Sequence, residues 1–261
     1  MSSGAGPPTG PLPGPDATLV SAAAMVFVTD PAAPILTQGD AHHLFDVLRL
    51  RPGEVVITGD GNGGWSPCRV APGISSRGWR QVDPASLLAP DGPVVRQPRV
   101  APEITVAFAP TKGDRPEWVV QKLTELGVDR IVPIWTVRSV VRWEGAERGQ
   151  RATDKLSRVA REAAAQCRRT WLPEVGPVTT LDDLAAVCGS APRLACPGGV
   201  SPTLDHPVVA VGPEGGWDPD ELARFGVGVG LGPNVLRAET AAVAVGTLLC
   251  ALRGGVVAPL A

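Results

Sequence analysis

Two glycine-rich breaks could do chemistry. Gly212-Pro213-Glu214-Gly215-Gly216 follows the apolar run 208–211, and Gly232-Pro233 follows a second apolar run, 227–231. Two parallel strands that end in glycine on one sheet edge leave bare backbone around a crevice, the usual ligand position of open α/β sheets. Backbone N–H and C=O groups match an adenine edge, so the crevice suits a nucleotide-like cofactor. Either break alone reads as an ordinary turn; the two together favour a ligand site. A phosphate could also sit at the first turn, as at other helix N-termini. The Lys-Ser/Thr of a P-loop is missing, which argues against a nucleotide hydrolase.

The flanking pattern says what positions these breaks. Asp218 reads as an N-cap, Pro219 as the first helical residue, and Glu221 completes a capping box. Beyond Gly232, residues 234–239 lead into an almost wholly apolar helix containing Ala241, Ala242, Val243, Val245, Leu248, Leu249 and Leu252. It is too short to span a membrane, so it must be buried in the core or against a second subunit. Upstream, a strand at 104–109, a helix from Asp114 or Arg115 to Leu126 stopped by Gly127, and a strand at 131–135 form a βαβ unit. A short strand at 193–196 ends at Pro197-Gly198-Gly199 and faces the same crevice. The expectation is α/β: five parallel strands with helices between them.

The N-terminal third reads differently. A strand at 25–30, a short helix at 40–49 capped by Asp40, and strands at 54–58, 65–70 and 78–82 separated by glycine turns predict a small β-barrel. Residues 1–24, rich in Gly, Pro, Ser and Ala, predict a disordered tail. The proline-rich stretch 89–102 predicts a linker, which gives domains at 25–88 and 103–261.

The net charge of −2 argues mildly against a general nucleic-acid coat protein, yet the segment 138–169 is rich in arginine. A helix over 153–168 would pack Leu156, Val159, Ala160, Ala163 and Cys167 on one side and present arginines on another, which suits a phosphate backbone. The five cysteines form no CxxC pair, and with three histidines there is no metal-ligand spacing. These features predict a reducing compartment and no metal. The start has no basic region ahead of an apolar core, so the expected location is cytoplasmic.

GPEGGW at 212–217 and LGPNVLRAETAA at 231–242 resemble the two signature loops of the ribosomal RNA small-subunit methyltransferase E family, in the SPOUT superfamily of knotted methyltransferases. REAAAQCRRTWLPEV at 161–175 and the His43 to Arg49 segment extend the resemblance, which covers most of residues 25–253. It departs at Ala238, where threonine is usual, at Asn234, where arginine or lysine is common, and at Arg168, where glycine is common. The resemblance implies an S-adenosylmethionine-dependent enzyme that methylates N3 of a uridine in 16S rRNA, with 16S rRNA or the small ribosomal subunit as partner. It further implies a SPOUT-type knotted parallel-sheet domain preceded by a PUA-like RNA-binding β-barrel, and a homodimer through the C-terminal knotted domain.

On this resemblance the cofactor pocket comprises Cys196, Pro197, Val211, Gly212, Glu214, Gly215, Gly216, Leu231, Gly232, Leu236 and Thr240. RNA is expected at His43, Arg49, Lys112, Arg158, Arg161, Gln166, Arg168 and Arg169. A uracil N3–H is neutral and would be paired in a duplex, so the base must be unpaired and lose its proton. Arg237 is the candidate that stabilises the resulting anion, with Glu239 as proton acceptor or, equally, as a cap that orients Arg237. Rival readings are a SPOUT methyltransferase acting on a ribose 2'-hydroxyl or another base, and a non-catalytic ribosome-assembly factor. The ribose enzymes carry an Asn and Arg pair near the first strand of the domain, and residues 104–114 offer no asparagine.

Overall fold

The structure is a computed structural model describing residues 14, 16–75 and 78–258. Most of the expected tail, 1–13 and 15, lies outside the described residues. The chain divides into two compact units. One holds the described residues up to Arg99 together with Ala164–Leu172; the other holds Val100–Ala163 and the described residues from Pro173 on.

The N-terminal unit begins earlier than its composition suggests. Helix α1 (Ala17–Ser21) forms where a tail was expected, because the Asp16 carboxylate accepts the Thr18 N–H at 2.7 Å and Leu19 is buried. Strand β1 (Ala24–Phe27), buried at every residue, pairs in parallel with β2 (Val55–Gly59). Helix α2 (Gln38–His42) is capped by Thr37 rather than Asp40: the Thr37 hydroxyl accepts the Asp40 N–H at 3.1 Å. A π-helical turn, His43–Val47, continues it.

Strand β3 (Gly64–Val70) runs antiparallel to β2 and also pairs with β4 (Leu88–Pro90) and β5 (Val95–Arg96). Part of the expected linker is therefore sheet, with its prolines at strand ends or between strands, where no ladder bond is lost. The strand expected at 78–82 is instead a 3-10 turn, Trp79–Gln81. Tertiary contact decides this: the Trp79 ring is buried and its indole N–H donates to Asp46 at 3.1 Å. That bond, with His42 and Arg80 on the same carboxylate, holds Asp46 below its ordinary value against the opposing effect of burial. The segment Ala164–Leu172 closes on the β2–β3 turn. A side chain on Gly61 would collide with Leu172, and one on Gly63 with Trp171, and both glycines have positive φ.

In the C-terminal unit the elements in order are β6 (Thr105–Phe108), α3 (Arg115–Leu126), β7 (Arg130–Trp135), α4 (Ala146–Gln166, in this unit up to Ala163), β8 (Glu174–Val175), β9 (Thr179–Thr180), α5 (Leu184–Cys188), β10 (Arg193–Val200), β11 (Val208–Val211), α6 (Pro219–Phe225) and α7 (Ala238–Arg253). The sheet order is β10-β11-β6-β7-β8, parallel throughout, with β9 also beside β7. Alternation along the strands fills both faces. Val106, Phe108, Val209 and Val211 pack with α3 and α7, while Ala107 and Ala210 face Leu184, Leu194 and Trp217. A sheet buried on both faces needs the continuous apolar runs read from the sequence.

The run 227–231 is not a strand. Only Val229 bridges, to Ala195 and Val200. Its neighbours Gly228 and Gly230 press against Cys196 and Gly199 so closely that a Cβ on either would collide, and the Val200 N–H donates to the Gly228 carbonyl at 2.9 Å while its carbonyl accepts the Gly230 N–H at 2.8 Å, an isolated parallel bridge in place of a full ladder.

Within the single chain helix α7 is buried along one stripe, Ala238, Ala242, Val245, Gly246 and Leu249, while Val243 and Leu248 are half-buried. Its C-terminal Arg253 donates to the Gly127 carbonyl at 2.7 Å and the Pro102 carbonyl at 3.1 Å, and pairs with Asp129. The cation also complements the helix dipole.

Candidate active site

Strand β11 ends at Val211, and the turn Gly212–Trp217 feeds α6. Several contacts from this chain fix that turn. The Gly216 N–H, at φ +69°, closes on the Pro213 carbonyl at 2.8 Å. The Trp217 indole N–H donates to the Ala195 carbonyl at 2.8 Å, and its ring lies under Gly212, where a Cβ would approach within 3.0 Å. Arg138 donates to the Gly215 carbonyl at 3.2 Å. The capping box is present, and its Glu221 is only 2% exposed. One Glu221 oxygen accepts the Asp218 N–H at 2.9 Å and the other the Val137 N–H at 3.0 Å, so the buried carboxylate is satisfied on both sides.

Against this turn lies a cleft of about 420 Å³. Cys196 and Pro197 of β10 form one wall, and Val211, Gly212, Glu214 and Gly216 form the floor and a second wall. Leu231, Gly232, Leu236 and Arg237 close it from the loop before α7. Nearly all the expected cofactor residues therefore meet. Two do not line it: Gly215 packs against Arg138, and Thr240 is exposed in the first turn of α7. Sequence reasoning missed Trp217, Leu222 and Val235 as lining residues. Trp217 was inside the quoted motif, whereas Leu222 and Val235 carry no local signal.

Arg237 is the N-cap residue of α7. It is exposed at the cleft, and among the described residues its guanidinium makes no hydrogen bond or ion pair. Glu239 does not cap or hold Arg237, and it is not among the residues that line the cleft. Its side chain is 14% exposed, with Oε1 3.6 Å from the Arg115 Nε and Oε2 buried without a hydrogen-bond partner among the described residues. Arg115 also lies 3.5 Å from Glu214. Sequence reasoning did not single out this arginine.

The expected RNA residues fall in both units. In the N-terminal unit His43 and Arg49 are exposed, Arg49 at φ +57°, and Gln166 is exposed at the end of α4. Arg169 is half-buried. Arg168 is occupied otherwise: at φ +60°, it donates to the Ala165 carbonyl at 2.8 Å and the Ala22 carbonyl at 3.0 Å, and burial lowers its guanidinium from the ordinary value. The positive φ explains why glycine suits this position. In the C-terminal unit Lys112, Arg158 and Arg161 are exposed. Parts of that surface are internally paired, Arg151 with Glu147 at 2.8 Å and Lys155 with Glu117. Among the described residues no cluster of His, Cys, Asp and Glu could hold a metal ion, and no helix is long and apolar enough to cross a membrane.

A family profile for an RNA methyltransferase domain matches residues 99–250, and one for an RNA methyltransferase PUA domain matches residues 36–73. The ribosomal RNA small subunit methyltransferase E of Mycobacterium bovis is 32% identical over 251 residues, covering 86% of this chain and 91% of that protein. Its Bacillus subtilis counterpart is 27% identical over 227 residues, covering 79% and 85%. Among solved structures, a methyltransferase from Legionella pneumophila with bound cofactor SAM has a TM-score of 0.71 at 26% identity, covering 87% of this chain and 96% of that one. Ribosomal RNA small subunit methyltransferase E from Neisseria gonorrhoeae, bound to S-adenosyl methionine, has a TM-score of 0.69 at 25% identity, covering 88% and 97%.

Proposed function

Because this chain belongs to the ribosomal RNA small subunit methyltransferase E family, we propose that it transfers a methyl group from S-adenosylmethionine to N3 of a uridine in 16S rRNA. The observation that carries this reading is the convergence of three main-chain breaks on one cleft, with a guanidinium at its lip that has no partner among the described residues. The residues fit the donor: the volume is that of a small-molecule site, the walls are largely apolar, and glycines 212, 216 and 232 bring bare main chain to the ligand. When bound, the donor supplies an electrophilic methyl on a sulfonium. This chain's part is to exclude water, hold the acceptor in line and steady its charge. Arg237 would face the uracil carbonyls, where negative charge gathers as the N3 proton leaves. Glu239 neighbours the lining residues Arg237 and Ala238 without lining the cleft itself, and would turn its buried Oε2 toward the base to accept that proton or a hydrogen bond.

The exposed Arg158 and Arg161 on α4 would track phosphate. The reading also places the protein in the cytoplasm, in keeping with its five free cysteines. Labelled donor, incubated with small subunits from cells lacking the gene, should place one methyl on a uridine, recovered as N3-methyluridine by mass spectrometry. Arg158→Gln/Arg161→Gln should raise the Km for the small subunit, more at about 50 than at about 200 mM salt, because fewer phosphate contacts flatten the salt dependence. Label on a ribose, or none, opposes the reading.

A homodimer through the C-terminal unit would cover the half-buried Val243 and Leu248 of α7 and the exposed Val256. Sedimentation at micromolar concentration should give twice the chain mass. A single-chain mass would remove the dimer from this reading.

A further inference from the structure

Arg115 occupies the first position of α3, directly after β6 and its loop, and reaches two carboxylates from separate segments. Its Nη1 lies 3.5 Å from Glu214 Oε1 on the cleft-lining turn, and its Nε lies 3.6 Å from Glu239 Oε1 in the first turn of α7. The three side chains differ in exposure: Glu239 is 14% exposed, Arg115 44% and Glu214 50%. Glu239 is thus the fixed end of the chain of charges and Glu214 the movable one. With Oε1 of Glu239 turned to the guanidinium, Oε2 is the oxygen left over, buried and without a donor. A buried acceptor in that state awaits a donor, because leaving it unmade is costly.

We propose that Arg115 is a positioning residue of the transfer reaction, fixing Glu239 through one nitrogen and the cofactor turn through another. This rests on the cleft being the donor site and Glu239 acting on the acceptor side. A planar fork suits the task, since two of its donors leave the same rigid group at a set angle, whereas an ammonium is a single point charge. The pairs are long and part-exposed, so they add little to stability. Their effect is on geometry, where a displacement of about 1 Å can cost on the order of 100-fold in rate.

Two measurements test this. In the first, Arg115→Ala, Glu239→Gln and the double variant are compared by single-turnover methyl transfer to small subunits, with donor affinity measured by calorimetry. Arg115→Ala should lose roughly 10- to 100-fold in rate with donor affinity within about threefold, Arg115→Lys should recover only part, and the double variant should fall no more than about threefold below Glu239→Gln. Independent, additive losses, or a loss in Arg115→Ala with none in Glu239→Gln, would overturn the proposal. In the second, amide hydrogen exchange without donor should quicken at Gly216 in Arg115→Ala, because Glu214 is released beside the bond from Gly216 to Pro213. Unchanged exchange overturns the coupling whatever the substrate. A wild-type chain that fails to methylate the small subunit would instead overturn the functional reading, leaving exchange to decide the role of Arg115.

Discussion

Gly232→Leu should abolish donor binding and leave the chain folded, with an affinity for S-adenosylmethionine at least ~100-fold weaker by calorimetric titration. Gly232 lines the cleft, and a Cβ built there meets nothing within 4 Å, so the new side chain meets no protein atom at its base and is free to enter the ligand space. The backbone cost is separate. Gly232 has φ +119°, a conformation that L residues avoid, and strain of about 1–3 kcal/mol should appear as a lower unfolding midpoint. Gly232→Ala carries the same strain with only one methyl, so it isolates bulk from strain. It should bind within about tenfold of wild type while melting like the leucine variant. Leucine at 232 with undiminished affinity would show that the donor lies elsewhere. Gly212 is the poorer probe, because a side chain there strikes Trp217 at 3.0 Å and disturbs the turn as well as the ligand.

What could be read in advance follows from how locally each feature is determined. Strand β11 and its turn were legible because four apolar residues, a glycine and a complete capping box lie within fourteen consecutive positions, 208–221. Helix α3 was legible for the same reason, with Gly127 at φ +98° as its stop. The run 227–231 misled because its alternation of valine and glycine imitates a strand, while the glycines serve a close backbone approach to residues 199–200 at an isolated parallel bridge. Trp79 and the linker strands misled because burial of one ring and the free edge of β3 outweigh local composition.

The site divides in the same way. The main-chain part of the cleft is written in glycines, and most of the residues expected there do line it. The site's ionic half, Arg115 between Glu214 and Glu239, joins residues far apart in the chain and leaves no trace in spacing. Arg168 shows the converse: a residue placed in a basic cluster by its neighbours is claimed by two backbone carbonyls once the fold closes.

Arg237→Ala should separate turnover from donor binding. Its guanidinium makes no hydrogen bond or ion pair among the described residues and caps no helical N–H, so truncation removes no protein contact and stability should stay within about 0.5 kcal/mol. Donor affinity should change by less than about threefold, because the glycine-lined walls remain. The single-turnover rate should fall by about 10²–10³, the usual cost of one donor aimed at developing negative charge. The charge in question arises only as N3 loses its proton and spreads to the two carbonyl oxygens, so the interaction strengthens between ground state and transition state and belongs in the rate rather than in binding. Arg237→Lys restores the charge without the planar fork and should recover a fraction of the loss. If rate and donor affinity fell together in Arg237→Ala, the guanidinium would be a cofactor ligand, and the anion would have to be steadied by another group at the cleft.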